Sequence, residues 1–516
     1  MPRKAILAIG AMMRNDRPMA RVLLFGVFAV VLGNGAMAQA PREGGAGVVG
    51  GIPLPRLPAA APEALPPLPP LPPLPALPAA SADILPPLPA TAAITPDAEA
   101  GRSGAVSGNP AAVNILSGSG WLGDRLGVNR NGFRVGGLNI ADANGLLSGG
   151  LAPGRWTGDT LTIFDLSVNT EEALGWKGGL FGSQFLYYSG GPMNRDAGTV
   201  MGYNSLDGAS PQSRAELYQL WYRQELLDKR LIIRIGKSVP TYDFNNVVRS
   251  APVGNAAYDI PAVSSAILTP LYVSPTQLGI MPGYYNSATG MVATFLPTKR
   301  TYIQYGLFDG NLAAGRQTGL EGPHFNGYAL HLGEVGLNWI LKESGRPGAF
   351  GVGGWRQTGV LQAPSGPVQG AQGFYLFGSQ RLYYERPGET KDGLSFYYQF
   401  ASTNSDFVFV HRYFGCGLSY YGLLPGRDQD SAGFGLAYGQ TNRDPHAGAI
   451  FFPPPANDPT ALRPLGKSEL IFSWYYQMQL ANNFYVQPNL SFIPDPAQRP
   501  GIPEAFAFTL RAIVLF

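Results

Sequence analysis

Segments of about ten residues with alternating apolar and polar side chains run from about Phe133 to the C-terminus, separated by clusters of Gly, Pro, Asn and Asp. A repeat of two residues places successive side chains on opposite faces, so each segment is predicted to be a β-strand. The last segment shows this most clearly. Phe and aliphatic residues occupy one face, and Ala507, Thr509 and Arg511 occupy the other. One face suits lipid and the other suits water.

Membrane crossing by helices is excluded by the lack of long apolar runs. Apart from residues 22–32, no stretch approaches the ~18 uninterrupted apolar residues that a spanning helix requires. Only 14% of the residues are charged, whereas Gly (68), Tyr (25) and Phe (27) are abundant, a composition typical of a barrel with one face in lipid. Because lipid offers no hydrogen-bond partners, such a sheet must close on itself.

The number of segments predicts an all-β fold, a transmembrane antiparallel β-barrel of about sixteen strands, although fourteen or eighteen strands also fit the pattern. An even number is typical of such barrels, and about sixteen strands enclose an aqueous lumen. The aromatic Phe516 fits a last strand that closes against the first. The predicted strands are residues 132–142, 160–171, 179–189, 215–227, 230–238, 288–297, 299–309, 329–342, 347–359, 372–386, 391–403, 408–420, 431–441, 467–479, 483–493 and 505–516.

The N-terminal part of the chain predicts export and a flexible spacer. In residues 1–40, basic residues precede an apolar run and a small-residue cleavage site at Ala38 or Ala40, which is typical of a secretory signal peptide. Residues 41–114 are rich in Pro, Ala and Gly and lack the pattern of a core, so a disordered or polyproline II periplasmic arm is predicted. The arm is either a plain spacer or a contact with the cell wall or a partner. Residues 115–516 are the predicted outer-membrane barrel domain.

The segment 239–287 is too long for an ordinary connection and contains six prolines but no spanning strand. We predict that it folds inward as a constriction loop. The alternative is an external loop that caps the barrel.

Polar side chains on the lumen faces are the candidates for contact with a permeating solute. Planar donors and acceptors recognise hydroxyl groups, and aromatic rings pack against the apolar faces of a sugar ring. For any one arginine, the alternative is a salt-bridged or solvated residue of the wall. Tyr218 and Trp221 are either interfacial girdle aromatics or a stacking platform. Alternation places Arg134, Arg234, Arg381, Tyr397, Gln399, Tyr475 and Arg511 on lumen faces.

Enzymatic motifs are missing from the sequence. The four histidines show no HExxH spacing, no GxSxG surrounds a serine, and no GxxxxGK[ST] phosphate loop occurs. The formal net charge of +3 comes largely from residues 1–40, so the remaining chain is close to neutral and a nucleic-acid partner is not indicated. We therefore expect neither a catalytic activity nor a cofactor or metal.

Three groups of residues resemble the carbohydrate-selective outer-membrane porin family (OprB). The segment 121–127, WLGDRLG, is similar to the opening WxGDxxGxR-type segment of that family. The pair formed by residues 217–222 and 234–237 resembles a strand pair ending in Gly-Lys, which adds Lys237 to the candidate lumen residues. Residues 469–475, 487–489 and 494–496 resemble the run that precedes its closing aromatic strand.

This resemblance covers about residues 115–516. It implies a sixteen-stranded channel in the bacterial outer membrane through which glucose and related sugars diffuse without energy coupling. Asn489, in place of the usual Gln, and the Pro-rich arm depart from the family pattern, which leaves sugar preference and homo-oligomer formation open. Three alternatives remain, namely a general diffusion porin, a non-conducting scaffold barrel and a barrel hydrolase.

Overall fold

The computed structural model describes residues 120–208, 213–240, 243–245, 287–310, 322–342, 344–363, 366–385, 392–449, 457 and 462–516. In this part of the chain, sixteen antiparallel strands form one closed barrel. The strands are β1 (Phe133–Ser148), β2 (Trp156–Asn169), β3 (Gly179–Ser189), β4 (Ser213–Leu226), β5 (Leu231–Ser238), β6 (Ala288–Phe295), β7 (Thr301–Asp309), β8 (Ala329–Ile340), β9 (Pro347–Ala363), β10 (Gly366–Tyr384), β11 (Gly393–Thr403), β12 (Val410–Tyr421), β13 (Ser431–Thr441), β14 (Ser468–Ala481), β15 (Phe484–Ile493) and β16 (Ala505–Leu515). The predicted fold class and strand number are confirmed.

Short helices lie outside the sheet. The helix α1 precedes β1 and contacts it, and none of the described helices is long and apolar enough to cross a membrane. The helices are α1 (Trp121–Leu126), α2 (Thr170–Leu174), α3 (Met193–Ala197), a 3-10 helix (Ser205–Gly208) and α4 (Pro445–Ala449).

Pairing between the first and last strands closes the sheet. The register sets Asp142 opposite Arg511. Nearer the start of β1, the backbone N–H of Gly137 donates to the carbonyl of Phe516, and the N–H of Phe516 donates to the carbonyl of Gly137, both at 2.8 Å. These bonds satisfy the edge groups that lipid would leave without partners.

The two faces of the barrel differ in chemistry as the alternation predicts. Outward-facing side chains are large, apolar and exposed, as at Phe164, Ile235 and Phe374. Aromatic rings on the outer face of β13–β15 also pack together, with the Phe434 and Trp474 ring centroids 5.3 Å apart. We call the opposite side the inner face, and it carries most of the buried polar residues. Lipid accounts for the first pattern and an aqueous lumen for the second.

The two ends of the barrel differ in the length of their connections. Short turns such as 227–230 and 482–483 join strands at one end, where β1 begins and β16 finishes. The strand ends that are joined by residues 190–212, 239–287, 310–328 and 442–467 lie at the other end, which we call the long-loop end. Outer-membrane barrels have short periplasmic turns and longer extracellular loops, so in a barrel of that class the long-loop end is the extracellular one.

The β9–β10 hairpin is longer than predicted. Strand β9 extends to Ala363 and β10 begins at Gly366, whereas the sequence predicted 359 and 372 as these limits. Clustered Gly and Pro residues in this stretch resemble a loop. Gly370, with φ of 66°, forms a bulge that absorbs the irregularity, so the ladder continues past it. The predicted signal peptide (1–40) and arm (41–114) lie outside the described residues.

Candidate functional site

Strand alternation places almost all of the predicted site residues on the inner face. Arg134, Arg234, Arg381, Tyr397, Gln399, Tyr475 and Arg511 share the register of buried inward residues on neighbouring strands. Lys237 is the exception, because it lies opposite the exposed, outward Leu220. Its ammonium is nevertheless buried and donates to the carbonyl of Leu217 at 2.7 Å. Gly236, with φ of 132°, allows the chain to depart from regular alternation there.

The inner-face residues do not form one cluster, because each arginine has its own partners. Arg511 is fully buried and binds Asp142 with two bonds, from Nε at 2.8 Å and from Nη2 at 2.7 Å. The same Nη2 donates to Asn204 at 3.1 Å. A bidentate, buried pair of this kind has little conformational freedom, and loss of one partner leaves the other charge buried without a counter-charge.

Asp159 extends this group across β2. It stands opposite Asp142 in the register and accepts from the side chain of Asn144 at 2.7 Å and from the N–H of Gly191 at 2.6 Å. Neither Asp142 nor Asp159 is among the residues predicted from the sequence, which are arginine, lysine, tyrosine and glutamine side chains. Alternation within residues 138–144, where polar Asp and Asn follow apolar inward residues, is the signal that could have identified Asp142.

Residues 190–208, which we call the β3–β4 segment, fold inward against this wall. Asn204 donates to Asp142 and Asn144, each at 2.9 Å. The carboxylate of Glu469 on β14 accepts from the Thr199 hydroxyl at 2.6 Å and from the N–H of Met201 at 2.8 Å. This inward segment was not predicted from the sequence. Its buried Met193, Val200, Met201 and Tyr203 are the apolar signal that could have revealed it.

The predicted constriction segment, 239–287, is described only at its ends. Residues 243–245 cross toward strands far from β5, since Gln304 on β7 donates to the carbonyl of Asp243 at 2.6 Å. Gln399 on β11 donates to the Asn245 side chain at 2.6 Å, and β6 to β10 lie between β5 and β11 around the barrel. Residues 246–286 lie outside the described residues.

Glu334 on β8 is a second buried carboxylate that the sequence analysis missed. It accepts from the hydroxyls of Tyr302 at 2.9 Å and Tyr375 at 2.8 Å. It also accepts from the side chain of Gln304 at 3.1 Å and from the N–H of Asn245 at 2.7 Å. Four donors, three from the strands β7 and β10 and one from the start of the 239–287 segment, therefore converge on this carboxylate.

The remaining arginines also bind the wall. Arg234 forms a salt bridge with Asp243, and its guanidinium carbon lies 5.6 Å from the ring centre of Trp221. Arg381 donates to the Ser395 hydroxyl at 3.0 Å, and its guanidinium carbon lies 4.5 Å from the Tyr384 ring centre. Arg134 lies beside Asp165 and interacts with it electrostatically.

Aromatic rings on the inner face lie flat over glycines of neighbouring strands. A Cβ on Gly417 would stand 2.3 Å from the Tyr397 hydroxyl, and one on Gly433 would stand 2.3 Å from the Tyr475 ring. The Trp221 ring covers Gly182 in the same way and is buried, as is Tyr218. Both residues are thus part of the barrel interior, which excludes the girdle alternative for Trp221 and Tyr218.

Comparison with known proteins agrees with this architecture. Porin B of Pseudomonas aeruginosa is 23% identical over 427 residues, which is 77% of this chain and 90% of that protein. The high-pH structure of Pseudomonas putida OprB matches with a TM-score of 0.64 at 18% identity, covering 78% of this chain and 99% of that one. At this identity the structural likeness supports the fold alone.

The family assignment rests on a sequence model. The model of the carbohydrate-selective porin family OprB matches residues 160–516, more than half of the chain. This range begins within β2, includes β3 to β16, and contains Glu334, Arg381 and Arg511. The chain therefore belongs to the OprB family of carbohydrate-selective porins, bacterial outer-membrane channels through which sugars diffuse.

Proposed function

We propose that glucose and related neutral sugars diffuse along the inner face, past the wall that carries Arg134, Arg234, Arg381, Tyr397, Gln399, Tyr475 and Arg511. Lys237 stands in the outward register and is not part of this path. Sugars are the permeating solutes of this family; glucose and the residues that border its path are the proposal. Guanidinium and amide groups match sugar hydroxyls, and tyrosine rings offer surfaces for the apolar faces of a pyranose.

Charge pairing on the inner face is the observation that supports this proposal. Arg511 binds Asp142 at 2.7 Å, Arg214 binds Glu216 at 3.3 Å and Arg223 binds Glu225 at 2.9 Å. Arg234 likewise pairs with Asp243. Paired charges retain hydrogen-bonding capacity but produce a weaker long-range field than isolated ones, so they favour neutral polar solutes over ions.

We also propose that the inner passage is narrowed from the long-loop end. The β3–β4 segment supports this view, because Glu469 and Asp142 hold it against the wall. The contacts of residues 243–245 with Gln304 and Gln399 support the same role for the 239–287 segment.

The remaining organisation of the chain forms part of the proposal. Residues 1–40 direct export, residues 41–114 act as a periplasmic spacer, and the barrel carries no catalytic activity. Its outer face is embedded in outer-membrane lipid. The alternative role of the spacer is a contact with the cell wall.

Single-channel conductance in a planar bilayer tests the proposed function, with glucose titrated against a non-sugar solute of similar size. We expect an open channel whose current glucose reduces saturably, while the other solute has no such effect. Conductance without a glucose effect would indicate a general diffusion porin. A folded protein without conductance would favour a scaffold barrel.

A further inference from the structure

A groove of about 630 Å³ lies on the outer face of the barrel, across β7 to β12. Its residues lie near the long-loop end, since His331 is close to the start of β8 and Arg412 to the start of β12. The groove lies on the lipid-facing side, opposite to the inner-face residues assigned to solute passage. It is therefore a separate feature of the molecule.

Two glycines form the floor of the groove. Gly333 on β8 and Gly354 on β9 stand opposite each other in the register. A Cβ on Gly333 would meet nothing within 4 Å, and one on Gly354 would meet only the carbonyl of Gly373, at 3.4 Å. Tyr305 and Phe374, both more than 40% exposed, flank this floor. The result is a slot with a floor of glycine backbone between two aromatic rings.

Basic side chains line the same groove. Arg356 stands opposite His331 and Gln372 in the register, and Arg412 stands opposite Ser402. Both arginines are exposed, and neither has a hydrogen bond or salt bridge with another residue in the described ranges. None of the fourteen lining residues is acidic, while Asp406 lines an adjoining recess.

Unpaired arginines on a lipid-facing surface carry an energetic cost that is smallest near the interface and increases toward the membrane centre. An anionic group between them removes this cost, and the guanidinium fork matches phosphate oxygens. The Nδ1 of His331 lies 2.7 Å from the Tyr305 hydroxyl, which places two further polar groups beside the arginines. Positive charge beside an apolar slot thus matches an amphiphile with an anionic head.

We propose that this groove binds an anionic lipid of the outer leaflet, with a phosphate of its headgroup at Arg356 and Arg412. An acyl chain lies over Gly333 and Gly354, between Tyr305 and Phe374. This inference does not depend on the solute that passes through the lumen.

Native mass spectrometry of the folded protein in non-ionic detergent tests the proposal with diphosphorylated lipid A as the probe. The variant combines Arg356→Gln with Arg412→Gln. The matched control combines Lys299→Gln with Arg300→Gln, which removes two exposed charges from the short turn at the other end of the barrel. We expect at least tenfold weaker lipid A binding in the variant and less than a twofold change in the control.

Two further probes separate the headgroup from the acyl chains and from free anions. Phosphatidylcholine should bind weakly to all three proteins, and excess inorganic phosphate should not displace lipid A, because phosphate lacks the acyl contacts. Equal lipid A binding by the variant and the control would overturn the proposal. Equal binding of phosphatidylcholine and lipid A, or displacement by inorganic phosphate, would overturn it as well. Unchanged single-channel conductance of the variant would confirm that its barrel is folded.

Discussion

Replacing Asp142 with asparagine should destabilise the barrel and alter the ions that pass through it. The substitution preserves the shape of the side chain but removes the charge that binds Arg511 through two bonds of 2.8 and 2.7 Å. Both side chains are fully shielded from solvent. Removing one partner of a buried ion pair costs about 3–5 kcal/mol.

The lower end of that range applies here. Asp159 stands opposite Asp142 in the register, so it continues to offset part of the Arg511 charge and is itself relieved of a like-charged neighbour. Asn204 also still accepts from Arg511 at 3.1 Å. We therefore expect the free energy of unfolding to fall by about 3 kcal/mol.

Guanidinium unfolding of the barrel in lipid vesicles, followed by tryptophan fluorescence, measures this loss. The double variant with Asp142→Asn and Arg511→Gln is the control, because it removes both charges. We expect it to regain at least half of the lost stability. The single variant should also shift the reversal potential of the channel in a salt gradient toward anions, whereas the double variant should not. A loss below about 1 kcal/mol in the single variant, with no shift in reversal potential, would refute the assigned role of this pair.

Two further predictions concern the inner face. Glu469→Gln should weaken the attachment of the β3–β4 segment, because the Thr199 hydroxyl and the N–H of Met201 lose a charged acceptor. Proteolysis within residues 190–208 should therefore accelerate and single-channel conductance should rise. An unchanged rate of cleavage would contradict this anchoring role. Gly433→Ala should lower the yield of heat-modifiable folded barrel, since its Cβ would lie 2.3 Å from the Tyr475 ring, whereas Gly333→Ala has free space and should fold normally. Equal yields for the two glycine variants would show that the aromatic packing is not required.

The strands were predictable from the sequence because each of them has lipid on one face and the lumen on the other. Lipid favours apolar residues at most outward positions, and the lumen tolerates polar residues inward, so alternation marks both the strand and its face. Arg511, Tyr475 and Gln399 all lie on the face that alternation predicts.

Interactions between residues that are far apart in the sequence were harder to predict. Arg511 and Asp142 meet only because β16 closes on β1. The four donors to Glu334 likewise come from three separate parts of the chain. The β3–β4 segment resembles an ordinary polar connection in the sequence, although its apolar residues are buried against the wall. In the β9–β10 hairpin, Gly and Pro residues obscured a ladder that a bulge at Gly370 preserves.

Liposome swelling with solutes of equal size and different charge tests the central claim most directly, namely that an inner face whose arginines are paired with carboxylates passes neutral sugars. Glucose, gluconate and glucosamine differ little in size but carry zero, negative and positive charge at neutral pH. The account predicts that glucose enters faster than both charged solutes. Equal rates for all three, or faster entry of either charged solute, would contradict it.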